Sequence, residues 1–348
     1  MPALLKTTQI QEPSSATVNM TLDTLGNASF AGMPYGASSF LRNKIINGAM
    51  VIDQRNAGAT QTFTAAAALA YSVDRWYGYC TGANVTGARV TGATTNQYRY
   101  QFTGAASVTA IGFGQRIEAI NSADLAGTTA TLSVVLSNSL LTTVTWTAYY
   151  ANTTDTFGSL ASPTVTSIAT GTFTVTSTAT TYSTNITIPS AATTGIQILF
   201  TVGAQISGTW VIGNVQLEPG SVATPFERRQ YGQEVSLCQR YYCKTFSLGT
   251  APGNNITSTG ALKGAARNGT TTEPCANWKF PVSMRTEPTV TLYNTGSGTA
   301  GQWSNDGGAT SSANARSQWI STEGCAMDNT GTAFNNTSNI QAAATAEL

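Results

Sequence analysis

The chain has no histidine and little charge: 17 Lys and Arg against 16 Asp and Glu in 348 residues, 9% of the total, with a net charge of +1. An average globular protein carries about 25%. Without histidine, the Ser-His-Asp and Cys-His nucleophile pairs and every His-ligated metal site are excluded. No basic cluster is longer than Arg228-Arg229, which argues against nucleic acid, where affinity comes from many phosphate-neutralising cations. No apolar run approaches about 20 residues, so no membrane insertion is expected. The opening MPALLKTTQI lacks the basic and apolar regions of a signal peptide, so Sec export is not expected. The five cysteines, Cys80, Cys238, Cys243, Cys275 and Cys325, are odd in number and scattered. They read as reduced thiols packed as small apolar side chains, with too few clustered ligands for a zinc site. No Asp-rich loop of the EF-hand kind occurs. Neither a metal nor a cofactor is expected.

Thr, Ser, Asn, Gly and Ala stand where charge is missing, and about one residue in six is Thr. Hydrophobic residues at 41% and aromatics at 9% predict a folded chain, because disorder goes with low hydrophobicity and high net charge. Length predicts roughly two or three domains. Residues 1–40 read as an extended arm, with Pro2, Pro13 and Pro34 and short extended stretches near 18–22 and 28–30 around the turn Leu25-Gly26-Asn27. Forty such residues cannot form a core alone, which predicts docking to a partner. Over 41–220 the pattern is β: segments such as Tyr98–Phe102, Thr131–Leu136, Thr142–Tyr150, Gly195–Val202 and Thr209–Leu217 alternate with period two between Ser, Gly, Asn and Pro. Their spacing of roughly ten residues predicts an all-β sandwich. Only Asp124 and Asp155 are charged between Glu118 and Glu218. Neutral strand edges invite pairing, which predicts an oligomer whose subunits cover them. Val235, Cys238, Tyr241 and Tyr242 fall at helical spacing, so 221–246 reads as a short helical neck facing partner helices, with Glu227 in its first turn. A C-terminal β domain follows over 247–348, with a long glycine-rich loop from Asn294 to Arg316.

Four stretches together resemble a known group. NKIINGAMVIDQRN (43–56), YSVDRWYGY (71–79), VQLEPGSVATPFERR (215–229) and EVSLCQRYY (234–242) are similar to the bracketing motifs of phage tail-fibre and tailspike receptor-binding proteins. FPVSMRTEPTVTLYN (280–294) looks like their C-terminal portion, and TLDTLGNASF like a virion-attachment arm. One departure is Ala49-Met50, where the opening motif usually has an aromatic after Asn-Gly. The resemblance covers roughly residues 40 to 295. It implies a jelly-roll, carbohydrate-binding-like module in a homotrimeric virion protein, made in the host cytoplasm and carried on the particle surface. Residues 1–40 would then attach to a tail adaptor, nozzle or capsid protein, and the distal domain would bind a host cell-surface polysaccharide. The motifs are architectural and mark no ligand site.

Two readings compete for each candidate residue. Asp74-Arg75-Trp76 places an indole on a sugar-binding face, or is a core Trp whose neighbours satisfy a turn. Tyr77, Tyr79, Tyr98 and Tyr100 form an exposed tyrosine ladder, or a half-buried sheet face. Trp303 lies in a polar loop with Asn305, Asp306 and Gly307-Gly308, where an exposed aromatic favours recognition. With Tyr293 at the loop's start, these are the receptor-contact candidates, whereas Trp319 falls in a strand-like run and reads as core. The functional expectation is a non-enzymatic adhesin. Its alternatives are a decoration or connector fibre that binds no receptor, and a polysaccharide depolymerase, which would need two carboxylates about 5–9.5 Å apart.

Overall fold

The structure, a computed structural model, describes residues 9–11, 13, 18, 20–22, 28–30, 41–66, 68–92, 98–253, 258–265, 276–305, 311–313, 315–329 and 337–348. In the arm, β1 (Gln9–Ile10), β2 (Met20–Leu22) and β3 (Ala28–Phe30) pair antiparallel in that order. The sandwich comprises β4 (Gln61–Phe63), β5 (Ala70–Tyr71), β6 (Tyr77–Thr81), β7 (Val85–Thr91), β8 (Tyr98–Thr103) and β9 (Ala110–Ile117). It continues with β10 (Thr129–Asn138), β11 (Thr143–Ala151), β12 (Val165–Thr174), β13 (Thr180–Thr187), β14 (Ile196–Val202) and β15 (Thr209–Pro219). One helical turn, α1 (Ala119–Ser122), sits between β9 and β10.

These twelve strands form two six-stranded sheets, in the orders β13-β10-β15-β8-β7-β4 and β12-β11-β14-β9-β6-β5. Only the β5–β6, β7–β8 and β11–β12 links stay within a sheet. Every other link crosses between the layers, as in a jelly roll. Alternation decides which face is buried. In β10, Ala130, Leu132, Val134 and Leu136 point inward to meet Ile111, Phe113, Ile198 and Phe200 of the facing sheet. Trp76 stacks on Phe113 (5.0 Å between ring centres) and Trp210 on Phe102 (5.4 Å), closing the core.

The helix α2 covers only Tyr231–Gln239, and it is no free-standing neck. Its Val235 and Cys238, with Tyr241, pack on Ile46 and Ile52 beside the sandwich. Cys238 therefore faces the chain's own sandwich, where partner helices had been expected. Glu227 precedes the helix, and its carboxylate instead accepts hydrogen bonds from the Leu41 and Asn43 N–H groups, the latter at 2.8 Å.

Beyond α2 lie β16 (Tyr242–Lys244), β17 (Leu262–Ala265), β18 (Ala276–Lys279), β19 (Thr289–Asn294) and β20 (Gln302–Asn305). They are followed by β21 (Ser311–Ala313), β22 (Ala315–Gln318), β23 (Gly324–Asn329) and β24 (Thr337–Thr345). β24 is the hub of one sheet, pairing with β16, β17, β19 and β20, while β18, β23 and β22 form a second. Trp278, Phe280, Met284, Leu292, Trp303, Met327 and Ile340 fill the space between them. The fold is all-β, as composition and periodicity predict.

Candidate functional site

The residues that carry the family resemblance converge on one buried junction. Asn47 adopts φ +55°, a left-handed conformation that Asn tolerates better than most residues. Its side chain donates to the Ile52 and Asp74 carbonyls (2.8 and 3.0 Å) and accepts from the Ile52 N–H. Gly48 follows where any Cβ would lie 2.1 Å from the Val215 carbonyl oxygen. Asp74 accepts from the Gln54 main-chain and side-chain N–H groups, each at 2.7 Å. Burial pushes its carboxyl pKa up, against the opposing pull of Arg55. The guanidinium of Arg75 lies 3.4 Å over the Tyr241 ring and that of Arg55 3.8 Å over Tyr242. Both pair with Glu347.

That junction settles where several candidates sit. Trp76 is wholly buried, and its indole N–H donates to the Asn47 carbonyl (3.1 Å). It is a core residue, and no sugar can reach it. The four tyrosines do not share a face. Tyr100 lies in the core and Tyr98 packs against it from β8 of one sheet, whereas Tyr77 and Tyr79 point outward from β6 of the other. Two C-terminal expectations are reversed. Trp303 belongs to β20 and is 2% exposed, so it is not a surface contact; Trp319, expected in the core, is 69% exposed in the turn after β22, at φ +47°. Tyr293 is half-buried with its ring edge-on to Phe246 (5.5 Å). Asn305 closes β20, and Asp306 lies outside the described residues.

The outward face of the β12-β11-β14-β9-β6-β5 sheet holds the remaining candidate site. Register places side chains in rows across it. One row runs Tyr77, Gly114, Leu199, Thr147, Thr170, and the next Tyr79, Gly112, Thr201, Thr145, Thr172. Arg116, Gln197 and Tyr149 start a third. Together with the loop residues Phe157, Leu160 and Pro163 they line a groove of about 190 Å³. A wider depression of about 530 Å³, lined by Thr143, Thr145, Thr201 and Ala110, continues it along the strands. Thr201 and Leu199 stand two residues apart on β14, so the two hollows adjoin.

Chemically the groove is aromatic and neutral. Tyr79 and Tyr149 are half-buried, and burial followed by the proximity of Tyr149 raises the Tyr79 phenol pKa. Tyr77 is 1% exposed, so of the two sequence candidates on this face Tyr79 alone is reachable. Among the described residues Arg116 is the one charged lining residue. Its guanidinium is held by Gln197 Oε1 (3.1 Å), the Gly158 carbonyl (2.8 Å) and the Leu348 oxygen (2.7 Å). Among the described residues no carboxylate lines either hollow, and no group of three or more Cys, Asp or Glu could hold a metal. Sequence reasoning missed Tyr149 and Leu199. The signal was present: once Val144, Trp146 and Ala148 are assigned inward, Tyr149 and its threonines follow outward.

No protein-family model and no curated protein matches this chain. Similar solved structures include the enzymatically active domain of tailspike protein 4 from bacteriophage CBA120, at 17% identity and TM-score 0.31, covering 51% of this chain and 22% of that one. A CBM4 structure aligns at 18% identity and TM-score 0.31 over 50% of this chain and 98% of that one. TmCBM61 in complex with β-1,4-galactotriose aligns at 11% identity and TM-score 0.32 over 52% of this chain and 100% of that one. The match spans under a quarter of the tailspike domain's own length.

Proposed function

We propose that this chain is a non-enzymatic adhesin of a bacteriophage particle, whose sandwich groove holds a host-surface polysaccharide. In this reading three copies assemble and residues 1–40 dock to another virion protein. The observation that carries it is the open groove on the sandwich's outer sheet. Its Tyr79 and Tyr149 rings beside Gln197, with threonine hydroxyls in the adjoining depression, suit a sugar's apolar face and hydroxyl rim. Hydrophobic surface with a few placed polar groups is the usual make-up of a ligand site. A lining without carboxylates supports binding over cleavage, because glycoside hydrolysis uses a pair of them. Burial of Trp303 moves the expected contact from the C-terminal loop to the sandwich. A shallow groove binds weakly alone, and three on one particle protein multiply affinity through effective concentration.

The test is mobility in native gels cast with soluble galactan, xylan or mixed-linkage β-glucan, with mass by light scattering. Retardation that falls roughly two- to tenfold for Tyr79→Ala or Tyr149→Ala is expected, the equivalent of one aromatic stacking contact. A folded wild-type chain retarded by none of these, and unable to adsorb to host cells, overturns the reading in favour of a connector fibre. Release of reducing ends from any of them makes it a depolymerase.

A further inference from the structure

β9 reads Ala-Ile-Gly-Phe-Gly-Gln-Arg-Ile, and its two glycines are opposite two tyrosines. Tyr79 pairs with Gly112 and Tyr77 with Gly114 across the β6–β9 ladder. Glycine in a strand interior is unfavourable by about 0.5–1 kcal/mol relative to Ala and often marks a close approach. Here the approach is visible. A Cβ on Gly112 would lie 2.1 Å from Cε1, 2.3 Å from Cζ and 2.7 Å from the hydroxyl oxygen of Tyr79. The phenol ring therefore lies across β9, in the space that any other residue's side chain would fill. Gly114 gives Tyr77 the same room, with a Cβ there 2.5 Å from its hydroxyl and 2.7 Å from the Ile198 carbonyl.

The two pairs differ in what covers them. Tyr77 is closed over, its ring 5.4 Å from the Arg116 guanidinium and edge-on to Tyr71 at 6.2 Å. Tyr79 is open to the groove, with Tyr149 and Leu199 beside it. An upright tyrosine would present its edge and narrow the groove, while one laid over a glycine presents its face. Sugar stacking needs the face.

We propose that Gly112 is a positioning residue of the groove: by leaving the strand bare it lays the Tyr79 ring flat on the sheet and so makes it a stacking platform. The inference rests on the glycan-binding reading for its function and on the Tyr79–Gly112 pair for its geometry. Gly112→Ala, Tyr79→Ala and the double substitution separate the two. The obstructing atoms are the far end of a side chain at a half-exposed position, so the Ala variant has a direction in which to yield. In the double variant the three nearest obstructing atoms, all of the Tyr79 side chain, are gone.

Two readouts decide it. Nitration of Tyr79 by tetranitromethane, mapped by peptide mass spectrometry, reports its solvent access without any ligand. It should rise severalfold in Gly112→Ala while nitration of Tyr149 holds. Retardation by the polysaccharide that best slows wild-type should fall as far in Gly112→Ala as in Tyr79→Ala, and no further in the double variant. Unchanged Tyr79 nitration in a folded Gly112→Ala chain overturns the inference. So does full binding by Gly112→Ala where Tyr79→Ala has lost it. A wild-type chain that binds no polysaccharide overturns the proposed function instead, and nitration then still decides the geometry.

Discussion

Trp303 and Trp319 exchange the roles expected of them, and the exchange has a measurable consequence. Trp303 is 2% exposed between the two C-terminal sheets, among Trp278, Leu292 and Ile340, so Trp303→Ala removes a full aromatic from a packed core. Such truncations cost about 3–5 kcal/mol, against a total stability of about 5–15 kcal/mol for a typical domain. With a urea dependence of about 1–3 kcal/mol per molar, the midpoint of the transition that reports this domain should fall by at least about 1 M. Trp319→Ala, at an exposed turn, should stay within about 0.5 kcal/mol of wild-type. Trp303→Phe refines the test. Among the described residues the Trp303 indole N–H has no hydrogen-bond partner, so Phe removes a buried unsatisfied donor along with some volume and should recover most of the loss. The assay is urea unfolding followed by circular dichroism and by amide exchange along β24. A Trp303→Ala chain as stable as wild-type, or a Trp319→Ala chain that loses more than it, would refute the placement of both residues.

Gly48→Ala places a Cβ 2.1 Å from the Val215 oxygen and should cost about 1–3 kcal/mol by overpacking, read as a lowered thermal midpoint. Arg75→Ala leaves Glu347 buried with Arg55 as its remaining partner; a loss of about 3–5 kcal/mol and faster amide exchange over 340–348 are expected. Lys244 donates to the Gln54, Leu248 and Thr250 carbonyls, and burial lowers its pKa from 10.5 to about 8. Above about pH 8 the unfolded chain then holds more protons than the folded one at this site, so stability rises with pH. The buried cysteines, raised from 9.0 (Cys325 to about 11), oppose that rise above pH 9. Tyrosines such as Tyr241, raised from 10.0 to about 12, reverse it above pH 10. Chemical denaturation between pH 7 and 11 should show a shallow rise then a fall, and Lys244→Met should abolish the rise alone.

The sandwich was legible because its strands largely alternate with period two: Thr129–Asn138 sends Ala130, Leu132, Val134 and Leu136 inward, and Thr209–Pro219 sends Trp210 and Ile212 inward, then Val215 and Leu217 after a bulge. The second domain was less so. Its hub, β24, reads Thr-Ser-Asn-Ile-Gln-Ala-Ala-Ala-Thr, and alanine is a poor strand former. Those alanines suit the position, because four strands crowd onto β24 and Ala342 and Ala344 are wholly buried between sheets. Trp303 misled for a related reason. Glycine and asparagine around it signal a loop, yet the Asn294 side chain ties itself to the Trp303 carbonyl (2.7 Å), drawing a glycine-flanked segment into the sheet. Of the groove, Tyr79 was legible and the glycine beneath it was not, since a cross-strand partner is a fact of register and no local pattern states it.

Scarcity of charge and neutrality of the groove have one explanation. Five of the seven ion pairs among the described residues gather around the sandwich's junction with its flanking segments: Arg42 with Glu218, Arg240 with Glu118, Arg229 with Glu234, and Arg55 and Arg75 with Glu347; Lys44–Asp124 and Arg316–Asp328 lie elsewhere. Each of the five has at least one partner nearly or wholly buried, where a lone charge would be costly and a paired one fixes a single geometry. Such pairs, with arginines stacked on Tyr241 and Tyr242, specify how the segments lock together. The outer sheet faces are rich in Thr and Ser, whose hydroxyls keep strands soluble and also suit hydrogen bonding to a glycan. A chain built this way puts its charge into assembly and its recognition into neutral surface. Raising ionic strength should therefore leave polysaccharide retardation unchanged, because screening acts on exposed charges and the groove presents none that is free. Retardation that collapses in 0.5 M salt would place binding on a charged surface away from the groove.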